Sequence, residues 1–224
     1  MVKIRLNVNF KVEKERIIFF ENLFFSSEQK DSFYRSIDNL NYTKNNWRVN
    51  KKICEEIINI IFSKYYFKER IRVIIFPSNF YLGAAETKEN LILFGQKNRS
   101  KNFSTAVILH EITHILLSKI KTKRDLIIDE IICYLVEEFI YSKEGARLED
   151  IWNKKELDNF HLKAMEAVIN YREELVFSRL QVDCLIGFFK EKLPNEILNV
   201  LPEPGLLSNL KRESKNNLYV SNNN

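Results

Sequence analysis

The strongest constraint in this sequence is an apolar segment that carries two of the three histidines of the chain. Between Ser104 and Leu117 most residues are apolar, yet the segment also contains His110, Glu111 and His114. Side chains four residues apart lie on the same face of an α-helix, so both imidazoles can point at one position. Two imidazoles and a carboxylate in a buried helix are costly unless a partner or a metal ion compensates them. The segment therefore predicts a buried helix that carries a polar site.

The spacing His-Glu-x-x-His is typical of zinc-dependent hydrolases. Imidazole nitrogens bind zinc, and the glutamate between them can reach a metal-bound water and take its proton. The alternative is a chance match between two core histidines. The small number of histidines weakens that alternative, since two of three take this spacing. His110 and His114 are thus predicted as metal ligands, and Glu111 as the catalytic base.

A catalytic zinc ion usually has a third protein ligand. A metzincin would have a third histidine at position 120 and a glycine at position 117, where this chain has Ile120 and Leu117. His161 has no motif around it, and a surface or core role suits it better. Acids also lie in the next apolar run, at Asp129 and Glu130. They could be solvated at a helix N-terminus, where the helix dipole favours acids, but their apolar neighbours place at least one near the core.

The run Ile128-Asp129-Glu130-Ile131-Ile132-Cys133-Tyr134-Leu135-Val136-Glu137-Glu138 resembles the glutamate helix of the gluzincin metallopeptidases. Together with the His-Glu-x-x-His segment and a strand ahead of it, residues 70–140 resemble a minimal gluzincin domain. The resemblance implies that His110, His114 and Glu130 are ligands of one zinc ion. It also implies that Glu111 is both general base and general acid.

The chain departs from the gluzincin pattern at several positions. Ile131 and Cys133 stand where the family often has glycine and alanine, which leaves the choice between Glu130 and Asp129 open. No residue clearly matches the tyrosine or histidine that stabilises the oxyanion in many gluzincins; Tyr134 and His161 are the candidates. The segment is also similar to the ImmA/IrrE-type regulator peptidases, although they often have glycine where this chain has Thr113.

Strand patterns precede the histidine segment. Ile4 to Val12 alternates apolar and polar residues, Ile71 to Phe76 is a β-branched run before a proline, and Leu91 to Phe94 is a short apolar run. Ser78 to Glu86 fits either a short strand or a turn. Leu91 to Phe94 could be an exposed edge that binds a peptide by strand addition, or an inner strand.

The helical patterns are longer. Lys14 to Phe25 fits either a strand or a helix. The next segments predict a helix from Ser27 to Leu40, a polar loop from Asn41 to Asn46 and a helix from Val49 to Tyr66. Further along the chain, the patterns predict a helix from Leu126 to Tyr141 and two helices between Glu156 and Leu193. We therefore expect an α+β fold, in which a small mixed sheet packs on the His-Glu-x-x-His helix and the glutamate helix. The C-terminal half should be helical.

The amino-acid composition limits the class of protein to which this chain can belong. Hydrophobic residues at 45% and charged residues at 29% are typical of a globular domain. We expect one metallopeptidase-like domain over residues 1–214, with a catalytic core at about 70–142, a helical part at about 155–193 and a disordered tail at 215–224. Three widely spaced cysteines, no signal peptide pattern and no long apolar run predict a cytoplasmic location. The net charge of +5 is scattered, which argues against nucleic acid or membrane partners.

These observations predict a zinc-dependent metallopeptidase that hydrolyses peptide bonds in a peptide or protein substrate. One alternative is a zinc-stabilised, catalytically inactive relative that binds a protein partner. Another is a helical interaction domain without metal. Neither the identity of the substrate nor the oligomeric state follows from the sequence.

Overall fold

A four-stranded mixed sheet precedes the two helices that carry the predicted site. The computed structural model describes residues 4–24, 32–68, 70–78, 82–96, 98–120, 125–175 and 180–202. The strands are β1 (Asn7–Lys11), β2 (Arg70–Ile75), β3 (Leu82–Glu86) and β4 (Leu91–Gly95), in the spatial order β1-β2-β4-β3. β2 runs parallel to β1 and β4, whereas β3 is antiparallel to β4.

Helices make up most of the remaining described chain. They are α1 (Lys14–Phe24), α2 (Ser32–Ile61), α3 (Phe103–Ser118), α4 (Leu126–Ser142), α5 (Leu148–Ile151), α6 (Asn159–Tyr171), α7 (Val182–Lys192) and α8 (Asn195–Leu198). The α+β fold with a helical C-terminal half is thus confirmed. The helix start predicted at Ser27 and the tail predicted at 215–224 lie outside the described residues.

The sheet places β4 inside and β3 at the edge. All residues of β4 are buried because the strand pairs with β2 on one side and β3 on the other. Of the two positions considered for Leu91 to Phe94, the structure has the inner one. β3 contains Gly83 and two alanines, which have low strand propensity, and for this reason the sequence of Ser78 to Glu86 fitted either a short strand or a turn.

The polar loop predicted at Asn41–Asn46 is wrong, since this segment is part of the continuous helix α2. Long-range hydrogen bonds account for the difference. Asn39 donates to the carbonyl of Phe76 at 2.9 Å, and Asn46 donates to the main chain just ahead of α3 at 3.2 Å. Trp47, on the same helix, is buried in the core. Tertiary contacts therefore outweigh the low helix propensity of asparagine here.

The main core joins the sheet, α3 and α4 to the C-terminal helices. One hydrophobic cluster joins one face of β2 and β4 to the buried apolar residues of α3, α4, α6 and α7. Ile74, Leu91 and Leu93, on the same strands, belong to a second, smaller cluster with Ile17 of α1. In the main core the sheet packs on α3, and α6 and α7 pack on α4. The α3–α4 pair, which carries the polar site, is thus held between them. Among the described helices, none combines the length and the apolar character needed to cross a bilayer.

Candidate metal centre

Helix α3 brings the two histidines of the motif together. The Nε2 atoms of His110 and His114 are 3.2 Å apart. Two ligands at zinc-like bond lengths of about 2.0–2.1 Å from a tetrahedral centre would be separated by about 3.3–3.4 Å. The two nitrogens are therefore spaced as a shared metal ion would require.

Helix α4 adds the carboxylate of Glu130 to this pair. Its Oε1 lies 3.3 Å from Nε2 of His110, and its Oε2 lies 3.2 Å from Nε2 of His114. Glu130 is only 4% exposed, and its Oε1 has no hydrogen-bond partner in the described part of the chain. An unsatisfied carboxylate oxygen in the interior is costly, so the three side chains fit a cation among them.

Cys133 is an alternative third donor beside His110 and His114. One ligand atom each from His110, His114 and Cys133 lie within 4.8 Å of one another, so these residues could hold a metal ion. Burial raises the pKa of the Cys133 thiol well above its usual value, which keeps the thiol neutral without a metal. The short contacts of Glu130 to both imidazoles make it the better-placed third donor. Cys133 lies one turn further along α4.

The charged side chains of the cluster shift the pKa values of His110 and Glu130. Burial opposes a charge on His110, but Glu130 and Glu137 together outweigh burial and raise the pKa of His110 well above its usual value. Burial likewise opposes a charge on Glu130, yet His110 and His114 lower the pKa of its carboxyl well below its usual value. These shifts favour a proton on His110, which would supply a positive charge in the absence of a metal ion. A metal ion would compete with that proton.

Glu137 supports His110 from the far side of the ring. Its Oε1 lies 2.7 Å from Nδ1 of His110, a close charged contact rather than an aligned hydrogen bond. Its Oε2 accepts hydrogen bonds from Tyr141 at 3.1 Å and from Trp152 at 2.8 Å. A carboxylate at one ring nitrogen leaves the other free for a metal. Glu137 was not among the predicted site residues, although its spacing of two helical turns from Glu130 places both on one face of α4.

Glu111 lines two neighbouring clefts at the centre. The smaller cleft has a volume of about 280 Å³ and the larger one about 370 Å³; both are lined by Gly83, His110, Glu111 and His161. Burial raises the pKa of the Glu111 carboxyl. The Glu111 side chain therefore forms part of the wall of both clefts.

Two other predicted site residues, Asp129 and Tyr134, lie near the cluster. Asp129 lines the larger cleft, whereas Glu130 contacts both imidazoles. Tyr134 is buried and packs edge-on against the ring of His110, with centroids 5.2 Å apart. Burial raises the pKa of its phenol well above the usual value. Tyr134 is thus placed to orient His110 as well as to line the smaller cleft.

His161 faces the cluster from helix α6. Its Nδ1 lies 2.8 Å from both carboxylate oxygens of Asp158, and its Nε2 lies 3.8 Å from Oε1 of Glu130. Asp158 also caps α6, where it accepts a hydrogen bond from the main-chain N–H of His161 at 2.9 Å. His161 was a predicted candidate for the site, whereas Asp158 was not. An aspartate at the N-cap position was the signal that could have found it.

The comparisons with known proteins add no relative. No family model, curated protein or solved structure gives a significant match to the chain. Its function is therefore argued from the geometry and chemistry of this site.

Proposed function

We propose that this chain is a zinc-dependent metallopeptidase of the gluzincin type. The observation that carries the proposal is the convergence of Nε2 of His110, Nε2 of His114 and the carboxylate of Glu130, with all three closest contacts between 3.2 and 3.3 Å. Glu111 lies beside this cluster in a cleft. This arrangement matches the two histidines and one glutamate of known catalytic zinc sites.

The donor set indicates which metal the site would hold. Two imidazoles and one carboxylate suit zinc, and His110, His114 and Glu130 would be its ligands. When bound, zinc supplies Lewis acidity, which polarises a substrate carbonyl and acidifies a water molecule. Glu137 and Tyr134 hold the ring of His110 in place.

Glu111 moves the proton in the proposed reaction. Its carboxylate accepts a proton from the attacking water and delivers it to the leaving amine. Because burial raises the pKa of this carboxyl, it is a stronger base than an exposed glutamate.

His161 is our candidate for stabilising the oxyanion. Asp158 contacts Nδ1 of His161 and directs Nε2 toward the cluster; Nε2 would donate to an oxyanion in the imidazolium form, in which both ring nitrogens carry a proton. The side chain of His161 is 41% exposed and lines both clefts. Tyr134 is less suited to this role because its ring is packed against His110.

Strand β3 gives the substrate a place to bind. It forms an edge of the sheet; Gly83 lines both clefts that Glu111 lines, and Ala85 lines the larger one. An extended peptide that pairs with this edge would cross the site, with main-chain hydrogen bonds that do not depend on its sequence. A peptide or protein substrate is therefore the class that we propose.

The proposal is tested by separating metal binding from turnover. We expect Glu111→Gln to keep zinc and to lose at least about 100-fold in cleavage, as general-base removal typically does. His114→Ala should lose both. Glu156→Gln is the matched control, since Glu156 lines the smaller cleft but pairs with Arg99 at 2.7 Å. Zinc content by mass spectrometry and cleavage of a fluorogenic peptide library give the readout; full turnover by Glu111→Gln would disprove the mechanism.

A zinc-stabilised, catalytically inactive protein that binds a protein partner is the second candidate. The proximity of Cys133 to both histidines favours it, because a fourth protein donor would leave no position for water. Tight zinc binding together with no cleavage of any library peptide would support this candidate.

The proposed location is a reducing compartment, with the cytoplasm as the expected one. Cys54, Cys133 and Cys184 are all free thiols, and two of them are buried. Free thiols are the usual state of cysteines in such compartments.

A further inference from the structure

The side chain of Gln96 lies against a glycine of the edge strand. Gln96 directly follows β4, whose last residue, Gly95, pairs with Leu82 of β3. A Cβ atom added to Gly83 would be only 2.7 Å from Nε2 of Gln96. The carboxamide can occupy this position only because residue 83 has no side chain.

This position is next to the catalytic centre. The same point above Gly83 is 3.3 Å from Cγ1 of Val107 and 3.7 Å from Oε1 of Glu111. Gln96 and Glu111 both line the smaller cleft, together with His161. The carboxamide of Gln96 therefore lies in the smaller cleft, beside β3 and Glu111.

The carboxamide also has unused hydrogen-bonding capacity. Gln96 is half-buried, and within the described residues its side chain has no hydrogen-bond partner. A primary carboxamide offers two donors and one acceptor. Polar groups at a partly buried site usually find partners, and a peptide group has both the N–H and the C=O that would match.

We propose that Gln96 is a substrate-binding residue, whose carboxamide hydrogen-bonds a peptide group of the substrate in the smaller cleft. Gly83 keeps open the space that this side chain needs. The assignment rests on the proposed peptidase function and deepens it. It predicts that the protein favours ligands with a peptide group beyond the one at the metal.

The test compares two kinds of metal-binding probe on the zinc-loaded protein. Acetohydroxamate reaches the metal alone, whereas peptidyl hydroxamates extended in either direction add peptide groups. We expect Gln96→Ala to weaken the best peptidyl hydroxamate by about 3–10-fold, the range of one net hydrogen bond. Acetohydroxamate should bind as it does to the wild type, and Gln96→Asn, with its shorter reach, should resemble Gln96→Ala.

Gly83→Ala provides an independent variant. Its methyl group would displace the carboxamide, so we expect the same selective loss for the peptidyl probe. Gly187→Ala is the matched control, because a Cβ at Gly187 meets no atom within 4 Å. Equal binding of both probes to wild type and Gln96→Ala would overturn the assignment while leaving the metal site intact. Failure of both probes on the zinc-loaded wild type would overturn the proposed function and this assignment together.

Discussion

Helix α4 carries buried acids on two sides, and the two sides balance their charge differently. On the side of α5 and α6, Glu138 is 3% exposed and contacts the guanidinium groups of Arg147 at 2.8 Å and Arg172 at 3.2 Å. It also accepts a hydrogen bond from the main-chain N–H of Leu148 at 2.9 Å. Arginine is charged at any ordinary pH, so this side is complete without a ligand.

On the side that faces α3, no arginine or lysine among the described residues contacts the acids. Glu130 and Glu137 contact His110, and Glu130 also contacts His114. Imidazoles are positive only when protonated, so these acids depend on a proton or on a metal ion. The comparison indicates that one side of α4 holds the fold together, whereas the other is suited to bind a cation.

The largest expected difference is between two variants that each remove one acid side chain, Glu130 on one side of α4 and Glu138 on the other. Glu130→Ala should lower zinc affinity by more than the 10–100-fold that is typical for outer-shell residues. Glu138→Ala should leave zinc affinity unchanged but reduce the free energy of unfolding by about 2 kcal/mol, since it unpairs buried hydrogen-bonding groups. Competition with a chelator and chemical denaturation measure the two effects. Equal zinc loss in both variants would remove the distinction between the two sides.

A smaller effect is expected for the acid that contacts a ligand without binding the metal. Glu137→Gln should lower zinc affinity by about 10–100-fold, because the Nδ1 of His110 loses its charged partner. The neighbouring Glu138→Gln is the control, with the same chemical change on the other side of α4. The comparison would fail if Glu138→Gln weakened zinc binding as much as Glu137→Gln.

The smallest effect is a dependence of stability on pH. Because the pKa of His110 is raised, its contribution to stability is present below the unfolded value of about 6.5 and is lost as the pH rises through the folded pKa. Because the pKa of Glu130 is lowered, its contribution is present above about 4.3 and is lost as the pH falls through the folded pKa.

The metal-free protein should therefore melt at its highest temperature between about pH 4.3 and 6.5. Zinc replaces the proton on His110, so the gap in melting temperature between zinc-loaded and metal-free protein should widen above about pH 6.5. Thermal melts of both forms from acid to alkaline pH measure this gap. A constant gap would contradict the proposed competition between the proton and the metal.

The local part of this site could be predicted from the sequence, and the non-local part could not. A spacing of four residues places His110 and His114 on one helical face, and this relation needs no tertiary information. Strand pairing and long-range hydrogen bonds decide that β3 is the edge and that α2 is continuous through its asparagines. The same holds for Glu137 and Asp158, which acquire a role only when α4 packs against α3 and α6 packs against α4.

The most direct test of the cation site is X-ray absorption at the zinc edge, on wild-type protein loaded with one equivalent of zinc. Two imidazole nitrogens and oxygen ligands at about 2.0–2.1 Å are the expected result, with no sulfur. Protein that retains no zinc, or zinc with a sulfur ligand at about 2.3 Å from Cys133, would contradict the proposed set of His110, His114 and Glu130.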